Sequence, residues 1–163
     1  MKTKLTTFAL ILLFLISIAL ETEALSFNKL PIKHSSMQWS VEVAVPGHGK
    51  GLAKSKKGKF NTYSLEVHNI GKKVNSVEVF MYRNEPNSTT KFSLFGCPDG
   101  EECTEGRFEQ AISLAKQLNK GKPFRFENFP LTDKATELEV EVIWTQKGQE
   151  GRPLKETFTF AVE

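Results

Sequence analysis

Cysteine, histidine and tryptophan are scarce in this chain: two, three and two residues among 163. Each scarcity removes a class of chemistry. His34, His48 and His68 are scattered, and none stands four residues from a second ligand type on a helical pattern, so no metal site is expected. No Gly-x-Ser-x-Gly elbow is present to carry a nucleophilic serine. No glycine-rich stretch has the Gly-Lys-Ser/Thr order of a nucleotide loop. Charge of either sign is not in large excess: 22 Lys and Arg against 19 Asp and Glu leave a net +3. Such mild basicity does not by itself imply nucleic acid. There is no internal repeat, low-complexity tract or linker. The sequence reads as a non-catalytic protein without a cofactor.

The N-terminus carries the clearest signal. Lys2 and Lys4 precede an apolar run over residues 8–20, which Glu21 ends. Thr22-Glu23-Ala24 then offers small residues at the two positions that a signal peptidase reads. The run is too short for a membrane span, which takes roughly 20 residues. Cleavage after Ala24 is the expectation, with Ala19 as the second choice. That assigns residues 1–24 to a signal peptide and 25–163 to a single domain, secreted or extracytoplasmic. The leader removes two Lys and two Glu, so the net charge stays at +3.

Cys97 and Cys103 flank Pro98-Asp99-Gly100, a strong turn signal that brings two sulfurs together. In an oxidising compartment the pair is expected to form a local disulfide. So short a loop contributes only about 2 kcal/mol. The nearby Asp99, Glu101, Glu102 and Glu105 lack the ligand order of a known calcium loop and read as an exposed acidic turn.

Alternation dominates the rest. From Met37, the residues Met37, Trp39, Val41, Val43 and Val45 fall on one face, the pattern of a half-buried strand. Residues 61–69 repeat it with Tyr63, Leu65 and Val67, and Asn69-Ile70-Gly71-Lys72-Lys73 reads as a turn. A third strand over 74–82 turns Val77, Val79 and Met81 inward and leaves Phe80 and Tyr82 outside. Those two rings are a partner surface if that face is open and core if it is covered. A shorter run covers Thr89 to Phe95. Residues 107–118 place Phe108, Ala111, Ile112, Ala115 and Leu118 at helical spacing, with Asn119-Lys120-Gly121 as a stop; a strand there stays open. Phe124, Phe126 and Phe129 form a short aromatic run. Leu138, Val140, Val142 and Trp144 alternate with Glu137, Glu139 and Glu141, a solvated face that neighbouring lysines would balance. Leu154, Phe158, Phe160 and Val162 close the series. Six or seven strands in one domain predict an all-β antiparallel sandwich with one short helical insertion, a barrel being the alternative closure.

Residues 63–83, YSLEVHNIGKKVNSVEVFMYR, resemble the strand, Asn-x-Gly turn, strand unit of immunoglobulin-like modules in secreted bacterial proteins. Residues 118–126, LNKGKPFRF, are similar to the glycine-containing turn before a later strand of the same modules. The resemblance implies an immunoglobulin-like sandwich and a habit of adhesion, assembly or ligand presentation. It carries over no functional residue, because fold does not fix function. A second resemblance joins NSTTKF, residues 87–92, and RPL, residues 152–154, to two loops of immunoglobulin-like inhibitors of cysteine proteases. Lys91 stands where that family has glycine and Leu154 where it has an aromatic. It implies, as an alternative, a secreted inhibitor of an extracellular protease.

The most unusual segment is residues 46–59, PGHGKGLAKSKKGK. It contains Lys50, Lys54, Lys56, Lys57 and Lys59, four glycines and no acid. One reading is a mobile, solvated loop. The other is a docking loop for a polyanion: a wall polymer, an acidic polysaccharide, anionic lipid or another cell-surface component. Both treat the loop as free to move, since it has no apolar face to bury.

Overall fold

The computed structural model describes residues 25, 27, 29–86, 88–94, 106–146, 148 and 151–161. Residues 1–24, Cys97, Cys103 and the acidic turn between the cysteines lie outside the described residues, and so does Val162. Among the described residues there are eight strands and one helix: β1 (Ile32–Ser35), β2 (Trp39–Ala44), β3 (Phe60–Asn69), β4 (Val74–Asn84), β5 (Phe92–Ser93), α1 (Arg107–Leu118), β6 (Phe124–Thr132), β7 (Glu137–Gln146) and β8 (Leu154–Ala161). They form two four-stranded antiparallel sheets, β1-β2-β3-β6 and β5-β4-β7-β8. The chain changes sheet between β3 and β4, through α1 between β5 and β6, and again between β6 and β7.

Alternation works as expected over most of this length. Val41 and Val43 from β2, Leu65 and Val67 from β3, and Val140 and Val142 from β7 are fully enclosed, joined by Val77, Met81, Phe158 and Phe160. One continuous cluster of buried residues draws on both sheets, as sheet-on-sheet packing requires. At its centre Trp39 and Trp144 meet edge to face, 5.5 Å between ring centroids. This geometry suits the opposed charge of ring face and ring edge.

The helix forms over residues 107–118, which settles the choice between helix and strand. Ala111, Ala115 and Leu118 are its buried stripe. Phe108 points to solvent and is not part of that stripe. Helix α1 lies along β4, with fewer contacts to β6. β5 pairs with Tyr82 and Arg83, so among the described residues the earlier part of β4 has no strand on that side. The helix covers an edge that would otherwise present unpaired backbone groups.

Two strand boundaries differ from the expectation. β2 begins at Trp39 and ends at Ala44, so Met37 and Val45 leave the buried face and are both exposed. The ladder ends because turns close at both ends. Ser36 N–H donates to the Trp39 carbonyl at 2.8 Å, and Pro46 follows Val45 with no N–H to offer a ladder. The run from Thr89 shrinks among the described residues to the two-residue β5.

Candidate functional site

Because the strands are antiparallel, the sandwich has two ends with separate sets of turns. Ala44 pairs with Ser64 and Trp39 with Asn69, so the lysine segment leaves one end while the Met37 and Ile70 turns leave the other. Asn84 pairs with Glu137 and Val74 with Gln146. The segment after Asn84, which includes Lys91 and Phe92, and the turn before Leu154 therefore project from opposite ends of one sheet. The two segments that resemble inhibitor loops are not brought together.

The lysine segment is held in place, contrary to the expectation of a mobile loop. A bulge in β6 is the reason. Tyr63 pairs with Phe129 but Leu65 with Phe126, so Glu127 and Asn128 together oppose Ser64. Such an extra residue turns backbone and side-chain groups away from the ladder. Here those groups receive the loop. Gly47 N–H donates to the Glu127 carbonyl at 2.8 Å, and Asn128 Nδ2 donates to the Ala53 carbonyl at 3.0 Å. Opposite them, Ser64 Oγ donates to the Val45 carbonyl at 2.7 Å. The crossing is close: a Cβ added at Gly47 would lie 3.2 Å from that same carbonyl oxygen. Further along, Ser55 Oγ accepts from Thr62 N–H at 3.0 Å and lies 2.9 Å from the Thr62 hydroxyl.

The segment ends in a tight turn. Lys59 N–H donates to the Lys56 carbonyl at 2.9 Å, and Lys56 and Phe60 exchange a pair of bonds at 2.9 and 3.1 Å. Gly58 takes the left-handed conformation, φ 73°, which a side chain would strain. Asp133 N–H donates to the Lys59 carbonyl at 3.1 Å. Lys56, Lys57 and Lys59 thus share a single turn, with Lys50 and Lys54 just before it. All five side chains are exposed, and none forms an ion pair among the described residues. A backbone fixed by hydrogen bonds presents five long cations with no carboxylate assigned to them.

Phe80 and Tyr82 lie on the outer face of β4, half-buried, with ring centroids 6.4 Å apart. They are neither an open patch nor core. The Arg107 guanidinium, in the first turn of α1, lies 5.0 Å above the Phe80 ring and 2.7 Å from Glu78 Oε2. A shallow cavity of about 190 Å³ lies beside them between β4 and α1. Next to these rings, Glu137, Glu139 and Glu141 are satisfied by Asn84, Lys91 and Lys155 respectively. Asn84 lies directly opposite Glu137 on β4, and of the two lysines only Lys155 comes from a flanking strand, two residues from the position directly opposite Glu141. The histidines stay apart: His34 stacks on Phe160, His68 lies 3.1 Å from Glu66, and His48 is exposed.

A family model described as YozF-like secreted protein matches residues 23–163. The chain belongs to that family. It is 53% identical to "Uncharacterized protein YozF" of Bacillus subtilis (strain 168) over 140 residues, 86% of this chain and 84% of the relative. No solved structure matches. The family's description makes this a secreted protein. Among the described residues no helix is long and apolar enough to cross a membrane.

Sequence reasoning found the five lysines but missed what fixes them. The β6 bulge leaves no local signature, because FRFENFPLT reads as an aromatic run whether or not Glu127 and Asn128 share one partner. It also missed the opposite end, where the exposed side chain of Met37 was assigned to a strand face.

Proposed function

We propose that this secreted protein is a non-catalytic sandwich domain that docks onto an anionic polymer of the cell envelope through Lys50, Lys54, Lys56, Lys57 and Lys59. The observation that carries the reading is the pinned Lys56–Lys59 turn, whose ammonium groups are exposed and unpaired among the described residues. A fixed cationic ridge has little conformational entropy to lose on binding. A polymer with a charge on every unit needs no further geometry from it. The strand order supports the immunoglobulin-like reading of the fold. Counted from β2, the sheets β2-β3-β6 and β5-β4-β7-β8 follow the arrangement in which strands A, B and E face C′, C, F and G.

The test is salt-dependent binding to dextran sulfate, a dense soluble polyanion. The slope of log affinity against log salt is expected to be close to one per neutralised charge. Changing Lys54, Lys56 and Lys57 to Glu removes most of the binding. It leaves the melting temperature nearly unchanged, since unpaired surface charges contribute little to stability. Equal binding by wild type and the triple variant would refute the docking role.

A further inference from the structure

The other end of the sandwich combines two features that seldom coincide on a free surface: exposed apolar tips and a rim of cations. Ser36, Met37 and Gln38 connect β1 to β2. Gln38 folds inward, whereas the Met37 side chain is 95% exposed. On the adjacent β3–β4 turn, Ile70 is 55% exposed. These are two of the five large apolar side chains that the described residues leave in solvent.

The two tips are bolted together. The Gln38 carbonyl accepts from Ile70 N–H at 3.0 Å and from Gly71 N–H at 3.1 Å. Its side chain donates to Asn69 Oδ1 and to the Lys72 carbonyl, both at 2.7 Å, and accepts from Lys72 N–H at 3.2 Å. Gln146 Nε2 donates to the same Gln38 Oε1 at 3.1 Å, which ties in the end of β7. The side chain of Asn119, just past α1, accepts from Val74 N–H at 3.0 Å, donates to the Val74 carbonyl at 2.8 Å and accepts from Asn69 Nδ2 at 3.3 Å. Four connections therefore meet at one rigid end.

These connections supply Lys72, Lys73, Lys120, Lys122 and Arg152, all exposed. None of the five forms an ion pair among the described residues. In sequence the four connections hold a single acid, Glu150, against these five cations and Lys147. A soluble polyanion would satisfy the cations but leave Met37 and Ile70 in water. A bilayer surface satisfies both, because apolar side chains enter the boundary between headgroups and acyl chains while lysine stems reach back to phosphate.

We propose that this end is a membrane-surface docking face, which inserts Met37 and Ile70 shallowly into an anionic phospholipid bilayer and seats the surrounding cations on lipid phosphates. Each cation near such a surface strengthens binding about five-fold. The tips supply the part of the affinity that is insensitive to salt. This face is at the opposite end from the lysine turn, so it stands or falls independently of the polymer reading.

The test is co-sedimentation of the secreted protein with vesicles of phosphatidylglycerol and phosphatidylcholine in equal parts, against pure phosphatidylcholine. Binding to the anionic vesicles is expected, with little to the neutral ones. The double variant Met37→Ser, Ile70→Ser is expected to bind about ten-fold more weakly. Lys72→Glu with Lys73→Glu is expected to lose about 25-fold or more, two cations at about five-fold each. All four side chains are exposed, and unchanged melting temperatures check that the variants fold. Lys54→Glu, Lys56→Glu, Lys57→Glu should bind vesicles as wild type does. A Met37→Trp variant reports depth: brominated lipid should quench its added emission. The proposal is overturned if anionic vesicles are not bound, or if the serine variant binds like wild type. It is also overturned if the tryptophan is not quenched while binding persists, the result expected of a purely electrostatic or protein-binding face.

Discussion

Gly71 lies where the β3–β4 turn passes under the β1–β2 hairpin, and a single added carbon tests how rigid that crossing is. A Cβ there would stand 2.7 Å from the Met37 carbonyl oxygen, 2.7 Å from Gln38 Oε1 and 2.9 Å from Gln38 Cα. Comfortable carbon contacts begin near about 3.5 Å, so the shortfall is about 0.7 Å. Two of the three clashing atoms are backbone and cannot rotate away. Relief requires moving the hairpin, which strains the bonds from Ile70 and Gly71 to the Gln38 carbonyl and from Lys72 to its side chain. Overpacking costs about 1–3 kcal/mol, and weakening one or two hydrogen bonds adds about 1 kcal/mol. Reduced freedom of the unfolded chain returns about 0.5 kcal/mol. The net cost of Gly71→Ala is about 1.5–3.5 kcal/mol, or about 5–12 °C in melting temperature for a chain of this size. Thermal unfolding followed by circular dichroism reads it directly. Gly58→Ala is the control. It has open space around its Cβ and only a left-handed φ of 73° to strain, so it should cost about 1 kcal/mol. If Gly71→Ala melts within about 2 °C of wild type, the hairpins are not bolted, and the shared presentation of Met37 and Ile70 loses its basis.

Tyr63 links stability to alkaline pH. Burial raises its pKa above 10.0, assisted by Asp133 and opposed by hydrogen bonds involving Phe27 and Asn61. The folded state therefore holds this proton after the unfolded chain has released it. Its contribution is fully present below the unfolded value and is lost as pH rises through 10.0 towards the folded value. Tyr63→Phe should flatten the decline in denaturant midpoint over this range, and equal slopes for the two proteins would count against the burial effect. Processing is the other test: N-terminal sequencing of the secreted protein should begin at Leu25. That residue is 2% exposed, and its nitrogen donates to the Ala135 carbonyl at 2.6 Å, a bond that a new amino terminus keeps. A start at Leu20 would select the Ala19 site instead.

Much of this molecule was legible from one local rule. Successive side chains on a pleat point to opposite faces, so the inward sets of β3, β4, β7 and β8 follow from period two alone, and the helix follows from the spacing of Ala111, Ala115 and Leu118. The five lysines were legible as composition. What the tertiary structure decided is everything that depends on which pieces meet. Met37 and Val45 continue the alternation perfectly well; only the closing turns put them in water. Phe80 is half-covered because α1 lies along β4 and sets Arg107 over its ring, a distance of 27 residues in sequence. The lysine loop is fixed because a bulge about 80 residues downstream of Gly47 presents Glu127 and Asn128 to it. Alternation is a property of one strand and can be read along it. Strand order decides which turns share an end, and it is set by the pairing of distant segments. That pairing separates the cationic turn from the Met37 and Ile70 tips, giving this secreted protein two unlike ends.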